Sequence, residues 1–295
     1  MPLSIHTNHA ALGAQRAITQ AQDRATTAME RLATGLRINS AKDDASGLAV
    51  VSRLTSQIDG LSQASRNASD AISMLQTAEG GLQSMTDSLQ RMRELAVQAA
   101  NGSIDLTERT YLDLEFRQLV TEIDRVAEAT KFGDVQLLNG GAEPGVPKFY
   151  SFQIGQGTGA EDTLNFLLAD YNIGELGQGK NPDGSDNIQE PSISNVRIST
   201  QFSAQQAIDS IDRALETVLS GRASLGSYQV RFQHVIDSNM IASENAQTAR
   251  GRIQDTDFAE ESAKLAKTQV LQQSSVAMLG QANAMPQQVL TLIQN

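Results

Sequence analysis

DASGLAVVSRLTSQIDGLSQASRNASDAISMLQTAEGGLQSMTDSLQRMRELAVQAAN, residues 44–101, returns a small or apolar side chain every seven positions, at Leu54, Leu61, Ala68, Leu75, Leu82, Leu89 and Ala96. A second row, at Val51, Ile58, Ile72, Met85, Met92 and Ala99, lies three or four residues away, so the two rows make the seam of a helix that wraps another. At about 1.5 Å per residue this helix would run roughly 80 Å, far beyond an ordinary globular helix. Its partner must lie elsewhere in the chain.

Working outward, residues 11–35 repeat small residues, with Ala11, Ile18, Ala25 and Leu32 on one heptad row and Ala14, Ala21 and Ala28 on another. The spacing predicts a thin helix closed by Gly35, and Ser40 to Asp43 has the capping-box spacing that opens the long helix. Gly80 and Gly81 are a local weakness or a point of close approach, since glycine costs about 1 kcal/mol against Ala in a helix interior. A second helix, from about Thr107 to Ala129, carries Leu112, Phe116, Leu119, Ile123 and Val126, and is expected antiparallel to the first. Tyr150–Ile154 and Thr163–Phe166 alternate around the glycines at 155, 157 and 159 and predict a β-hairpin. Gly174 to Pro191 is turn-rich and reads as an exposed excursion; residues 140–200 hold eight acids against three bases. Helical spacing resumes near Ala204 with Ile211, Val218, Leu225 and Phe232, the missing partner, flanked by Ile208, Leu215 and Ile236. A last helix, from about Phe258 to Met285, repeats the thin pattern at Ala259, Ala263, Ala266, Val270, Ala277 and Ala284, so the two ends are expected to pair.

The fold class is therefore mainly α, a long antiparallel coiled-coil rod with a small β-hairpin region and paired N- and C-terminal helices. Aromatic residues are only 4% of the chain and Trp is absent, as expected where thin helices meet along seams. The net charge of -11 argues against a phosphate-binding surface, so no nucleic-acid partner is expected. With no Cys there is neither disulfide nor thiolate metal site. The first residues lack a secretory signal. From Thr268 to Asn295 no residue is charged, but Gln, Ser and Asn break the apolar run, so an assembly interface is expected rather than membrane insertion. His6 and His9 have no accompanying ligand, the glycines at 155–159 have no following Lys-Ser or Lys-Thr, and Asp183, Ser185 and Asn187 lack a closing Glu. Each reads as surface or turn. No cofactor, metal or catalytic residue is expected.

MERLATGLRINSAKDDASGLAV (29–50), SQASRNASDAISMLQTAEG (62–80), LQRMRELAVQAANG (89–102), RIQDTDFAEESAKLAKTQVLQQ (252–273) and QANAMPQQVLTLI (281–293) carry a resemblance to bacterial flagellin. Departures are mild: Gly81, Gln254 and Ser274-Ser275 replace an expected Ala, a basic residue and small apolar residues. The middle is shorter than in large flagellins. The resemblance implies that residues 1–40 and 255–295 form an inner-tube domain, 41–173 and 192–254 an outer-tube domain, and 174–191 a short loop in place of larger outer domains. Ile18, Leu32, Ala263, Val270 and Ala277 become assembly positions.

The same resemblance implies a non-enzymatic filament subunit that is secreted, polymerises with itself as a helical homopolymer, and works outside the cell. Its further partners would be the flagellar export apparatus and an export chaperone, the filament cap and junction proteins, and the host Toll-like flagellin receptor. The chain has no His-Glu-x-x-His segment of the kind some flagellins share with peptidases. A hook-filament junction protein of the same fold is the alternative, although the RINSAKDD and RELAVQ segments in which it diverges are intact. Arg91, Leu95 and Glu115 match the positions that would meet the receptor or a neighbouring subunit, with Arg91 and Leu95 expected on a face beside the seam. The terminal segments are expected to be disordered in the monomer, since assembly would have to supply their packing.

Overall fold

The computed structural model describes residues 8–140, 147–177 and 192–293, with side chains as far as 285. Five helices, α1 (His9–Thr34), α2 (Ala45–Ala99), α3 (Leu106–Ala129), α4 (Gln201–Gln254) and α5 (Phe258–Ile293), carry most of it. Four short strands, β1 (Lys131–Phe132), β2 (Val135–Gln136), β3 (Lys148–Gln153) and β4 (Thr163–Leu168), form two antiparallel pairs. The chain divides into two compact units, residues 1–58 with 244–295, and residues 59–243. α2 and α4 each contribute to both.

In the larger unit the heptad rows are the core. Leu75, Leu82, Met85, Leu89 and Met92 of α2 are buried with Ile211, Val218, Leu225 and Phe232 of α4 and with Phe116 and Ile123 of α3. Arg93 pairs with Asp212 at 2.6 Å and Gln229 donates to Glu79 at 2.9 Å, which fixes α2 and α4 as antiparallel. α3 is antiparallel to α2 as well: Arg91 reaches Glu115, while Arg109 donates to the carbonyls of Ala99 and Asn101. Its first turn is closed by a reciprocal box, Asp105 accepting from the Glu108 N–H at 2.7 Å and Glu108 from the Asp105 N–H at 3.3 Å.

The hairpin packs its inner face on α4, with Phe152 and Phe166 edge-on to Phe232 at 5.8 and 6.4 Å. Its glycine-rich turn closes around Asp162, whose carbonyl accepts from the N–H groups of Ile154 and Gly155. A Cβ at 155 or 157 would strike the Asp162 carboxylate, so these glycines allow a close turn. The short β1–β2 pair has no counterpart in the sequence reading; two-residue strands are below any detectable alternation.

The loop reading at 174–191 is corrected at its near end. Leu176 is buried, its carbonyl accepts from the Ile193 N–H at 3.0 Å, and Arg213 donates to the Gly177 carbonyl at 3.1 Å. Gly177 has φ +78° and would press a Cβ into the backbone of Ser210. The acidic stretch 178–191, including Asp183, Ser185 and Asn187, lies outside the described residues.

In the smaller unit, α1 starts at Asn8, whose carboxamide accepts from the Ala11 N–H at 3.0 Å, and stops at left-handed Gly35, φ 73°, whose N–H reaches the Arg31 carbonyl. The expected capping box at Ser40 is not what opens α2. Asp43 instead gathers the N–H groups of Asn39 and Ser40 into a turn, and Asp44 caps the helix through the Gly47 N–H at 2.8 Å. The two linkers are stitched together by an antiparallel bridge, Leu36 to Asp255, while Arg37 caps α4 by donating to the Ile253 carbonyl at 2.7 Å.

Candidate assembly and recognition surfaces

α1 and α5 pack closely and antiparallel. Asn8 donates to the Ala282 carbonyl at 2.8 Å at one end of the pair, and Arg31 meets Glu261 at 3.6 Å at the other. α1 turns Ala11, Ala14, Ile18, Ala21, Ala25, Ala28 and Leu32 inward, as its heptad rows require. α5 answers with Glu261, Leu265, Thr268, Gln272, Ser275, Leu279 and Ala282, alternating steps of four and three.

That seam is not the predicted one. Ala263, Val270 and Ala277, with Ala259, Ala266 and Ala284, are exposed and point away from α1. α5 is apolar or small on most sides, so hydropathy does not choose its inner face. The choice falls to directed contacts, the Asn8 and Arg31 bonds and the buried Glu261 and Thr268. Val270 is left 61% exposed and Met278 62% exposed, with Val276, Leu271 and Met285 also outward. Because the chain carries no charge after Lys267, this outward face is uncharged as well as apolar.

Among the described residues each end is a helix, and each supplies the other's seam. Lys264 closes the charged end of the pair, 2.9 Å from Glu260 and 3.2 Å from Glu261. Those bonds, Glu260 first, hold its ammonium above its ordinary pKa.

The second predicted surface lies on α2 and α3. The Arg91 guanidinium donates to Glu115 at 2.8 and 3.0 Å and to Glu94 at 2.9 Å. These bonds, chiefly that to Glu115, raise the Arg91 pKa. The side chains of Arg91 and Glu115 are 50% and 46% exposed, so the pair is open to another molecule. Leu95 is not. At 1% exposure it belongs to the core with Met92 and Ala96, and its assignment to an open face is corrected. α2 is embraced by both α3 and α4, which widens its buried stripe beyond a two-helix seam. Gln90, Arg93, Glu94, Val97 and Gln98 instead line a shallow exposed depression beside Arg91, unremarked in the sequence because these residues share a helix face without an apolar repeat.

Comparison with known proteins settles what these surfaces belong to. The bacterial flagellin N-terminal helical region matches residues 5–143, and the bacterial flagellin C-terminal helical region matches residues 208–293. The chain belongs to the bacterial flagellin family. Polar flagellin F of Vibrio parahaemolyticus is 36% identical over 381 residues, spanning 99% of this chain and 100% of its own. A flagellin of Halalkalibacterium halodurans is 39% identical over 289 residues, spanning 98% and 99%. The flagellar filament 33 kDa core protein of Treponema phagedenis is 39% identical over 295 residues, spanning 98% and 99%. A solved structure ascribed to a flagellar hook-associated protein of Vibrio parahaemolyticus shares the fold, with TM-score 0.57, 15% identity, and coverage of 72% of this chain and 100% of that one.

As a flagellin, the chain is a structural protein and not an enzyme, a self-polymerising subunit of the exported, extracellular flagellar filament. No helix among the described residues is long and apolar enough to cross a membrane. His9 and His234 are exposed, and His6 lies outside the described residues.

Proposed function

We propose that the paired ends are the polymerising element of this subunit, with the outward face of α5 as its main contact. The observation that carries this is the exposed row Ala263, Val270, Met278 and Met285 on a helix without charge beyond Lys267. An exposed apolar face of that length is stabilised only by burial, at about 25 cal/mol per Å². Ile18 and Leu32, half-buried on α1, serve the same assembly by holding α5 in register. On this reading, as the family resemblance implies, residues 1–40 and 255–295 belong to the inner-tube domain and residues 41–173 and 192–254 to the outer-tube domain.

The test is polymerisation. Salting out the purified chain should give filaments in negative stain, and Val270→Asp with Met278→Asp should abolish them while leaving monomer circular dichroism unchanged. Filaments of ordinary length from the doubly charged chain would overturn the assignment of the face.

The finer partners follow the family. Export through the flagellar secretion channel with a chaperone, and contact with cap and junction proteins, are proposed on that resemblance. The receptor reading now rests on Arg91 and Glu115 without Leu95. Arg91→Ala should weaken both flagellin-receptor signalling and motility, since the open pair serves a partner in either setting; unchanged signalling would remove the reading. The filament role is favoured over the hook-filament junction because the RINSAKDD and RELAVQ segments are intact and the full-length relatives are flagellins.

A further inference from the structure

The charged end of the α1–α5 pair has a groove whose chemistry the apolar seam does not explain. α1 lends it Arg24 and Arg31, one heptad apart, and α5 lends it Lys264 and Lys267, one turn apart. Two carboxylates accompany them, Asp23 and Glu261. Glu261, its side chain 6% exposed, is already held by Arg31 and Lys264. Among the described residues, Arg24 and Lys267 form no ion pair, and the Nε of Arg31 is buried without an acceptor. With four cationic side chains against two carboxylates, the groove is cationic in a chain of net charge -11.

We infer that this groove is the seat of a carboxylate side chain from a second copy of the chain. Charge complementarity selects that occupant: the groove is a basic island on an acidic protein, so another copy offers what it lacks, whereas nucleic acid would be repelled by the rest of the surface. Position agrees, because Leu271 lines both this groove and the apolar groove running on to Ala14, Met278 and Met285. A neighbour lying along the uncharged face of α5 would thus bring its acids to the cationic end. The apolar face would supply adhesion and the groove would set the axial register, since charged pairs fix alignment more than they add affinity.

The inference rests on the filament reading and is tested within it. Filaments grown from equal amounts of unlabelled and 15N-labelled chain are treated with a zero-length carbodiimide, which joins a lysine amine to a carboxylate in contact. Mass spectrometry should find Lys267 joined to an Asp or Glu of the opposite label, a product absent from dilute monomer. Arg24→Glu with Lys267→Glu should raise the critical concentration about tenfold or more at low salt, as like charges placed together predict, with monomer circular dichroism unchanged; Arg24→Lys should polymerise normally. Filaments in which Lys267 joins only its own chain, or nothing, and in which charge reversal is silent, would overturn the groove assignment and leave the filament reading intact. Failure of the unaltered chain to polymerise at all would overturn both.

Discussion

Arg91 and Leu95 are one helical turn apart, yet they answer to different physics. Truncating Leu95 leaves a cavity in a core shared by three helices and should cost about 2–5 kcal/mol. Arg91→Ala removes exposed pairs that solvent screens, and should move the thermal midpoint little. Differential scanning calorimetry of the two variants checks this; equal midpoints would mean that Leu95 is not in the core. Spacing had put Leu95 beside the seam, and it could not say how many helices embrace that seam. The charged neighbours were legible because Arg and Glu declare an exposed edge, whereas a leucine next to a stripe reads equally as rim or core. Tyr171 gives a pH dependence. Burial pushes its phenol up from the ordinary 10.0, and Tyr150 shifts the same way for the same reason. A raised folded pKa favours the neutral form, so the stabilisation is complete below about pH 10 and is lost as pH climbs toward the folded value. Urea midpoints between pH 9 and 11.5 should fall with pH, and Tyr171→Phe should flatten the fall; an unchanged slope would remove Tyr171 as its source.

At the scale of the element, adjacent residues Gly80 and Gly81 make opposite demands. A Cβ at 80 meets nothing within 4 Å, so Gly80→Ala should stabilise α2 by about 0.5–1 kcal/mol through helix propensity. A Cβ at 81 would lie 2.6 Å from the Thr130 hydroxyl and 2.7 Å from a Leu138 methyl, so Gly81→Ala must displace the Thr130 and Leu138 side chains from their packing. It should destabilise despite the same gain in propensity. Chemical denaturation of the pair decides the matter, and a stabilising Gly81→Ala would show that the contact yields easily. The sequence marked both glycines as a weakness or a close approach, and only the position of the β1–β2 turn separates the two roles. Heptad rows were reliable in α2 and α4, where large apolar residues face one way. They failed in α5, because a helix that is small or apolar all round carries a period without an inward direction. Its inner face is chosen by Glu261, Thr268 and the Asn8 bond, which are contacts rather than hydropathy.

For the molecule, the match of the two ends was legible and the side on which they match was not. The pair is held by alanines, the half-buried Ile18, Leu32, Leu265 and Leu279, and polar contacts. Burying an alanine methyl returns less than about 1 kcal/mol, while ordering each residue costs about 1–2 kcal/mol of backbone entropy. The larger unit, by contrast, buries long side chains from three helices and a hairpin. The smaller unit should therefore be the first to open, and its outward α5 face is what assembly adds to keep it closed. In dilute monomer, limited proteolysis should cut within α1 and α5 and stop at a core containing the 59–243 unit. The same protease applied to filaments should leave both ends intact, because a neighbour covers Val270, Val276 and Met278 and lowers the population of the open state. Hydrogen exchange should give the same order, with amides of 12–32 and 262–282 exchanging fastest in monomer and slowing by orders of magnitude on polymerisation. If monomer and filament protected these amides equally, the intrachain seam alone would hold the ends, and the exposed apolar face would lose its part in stabilising them.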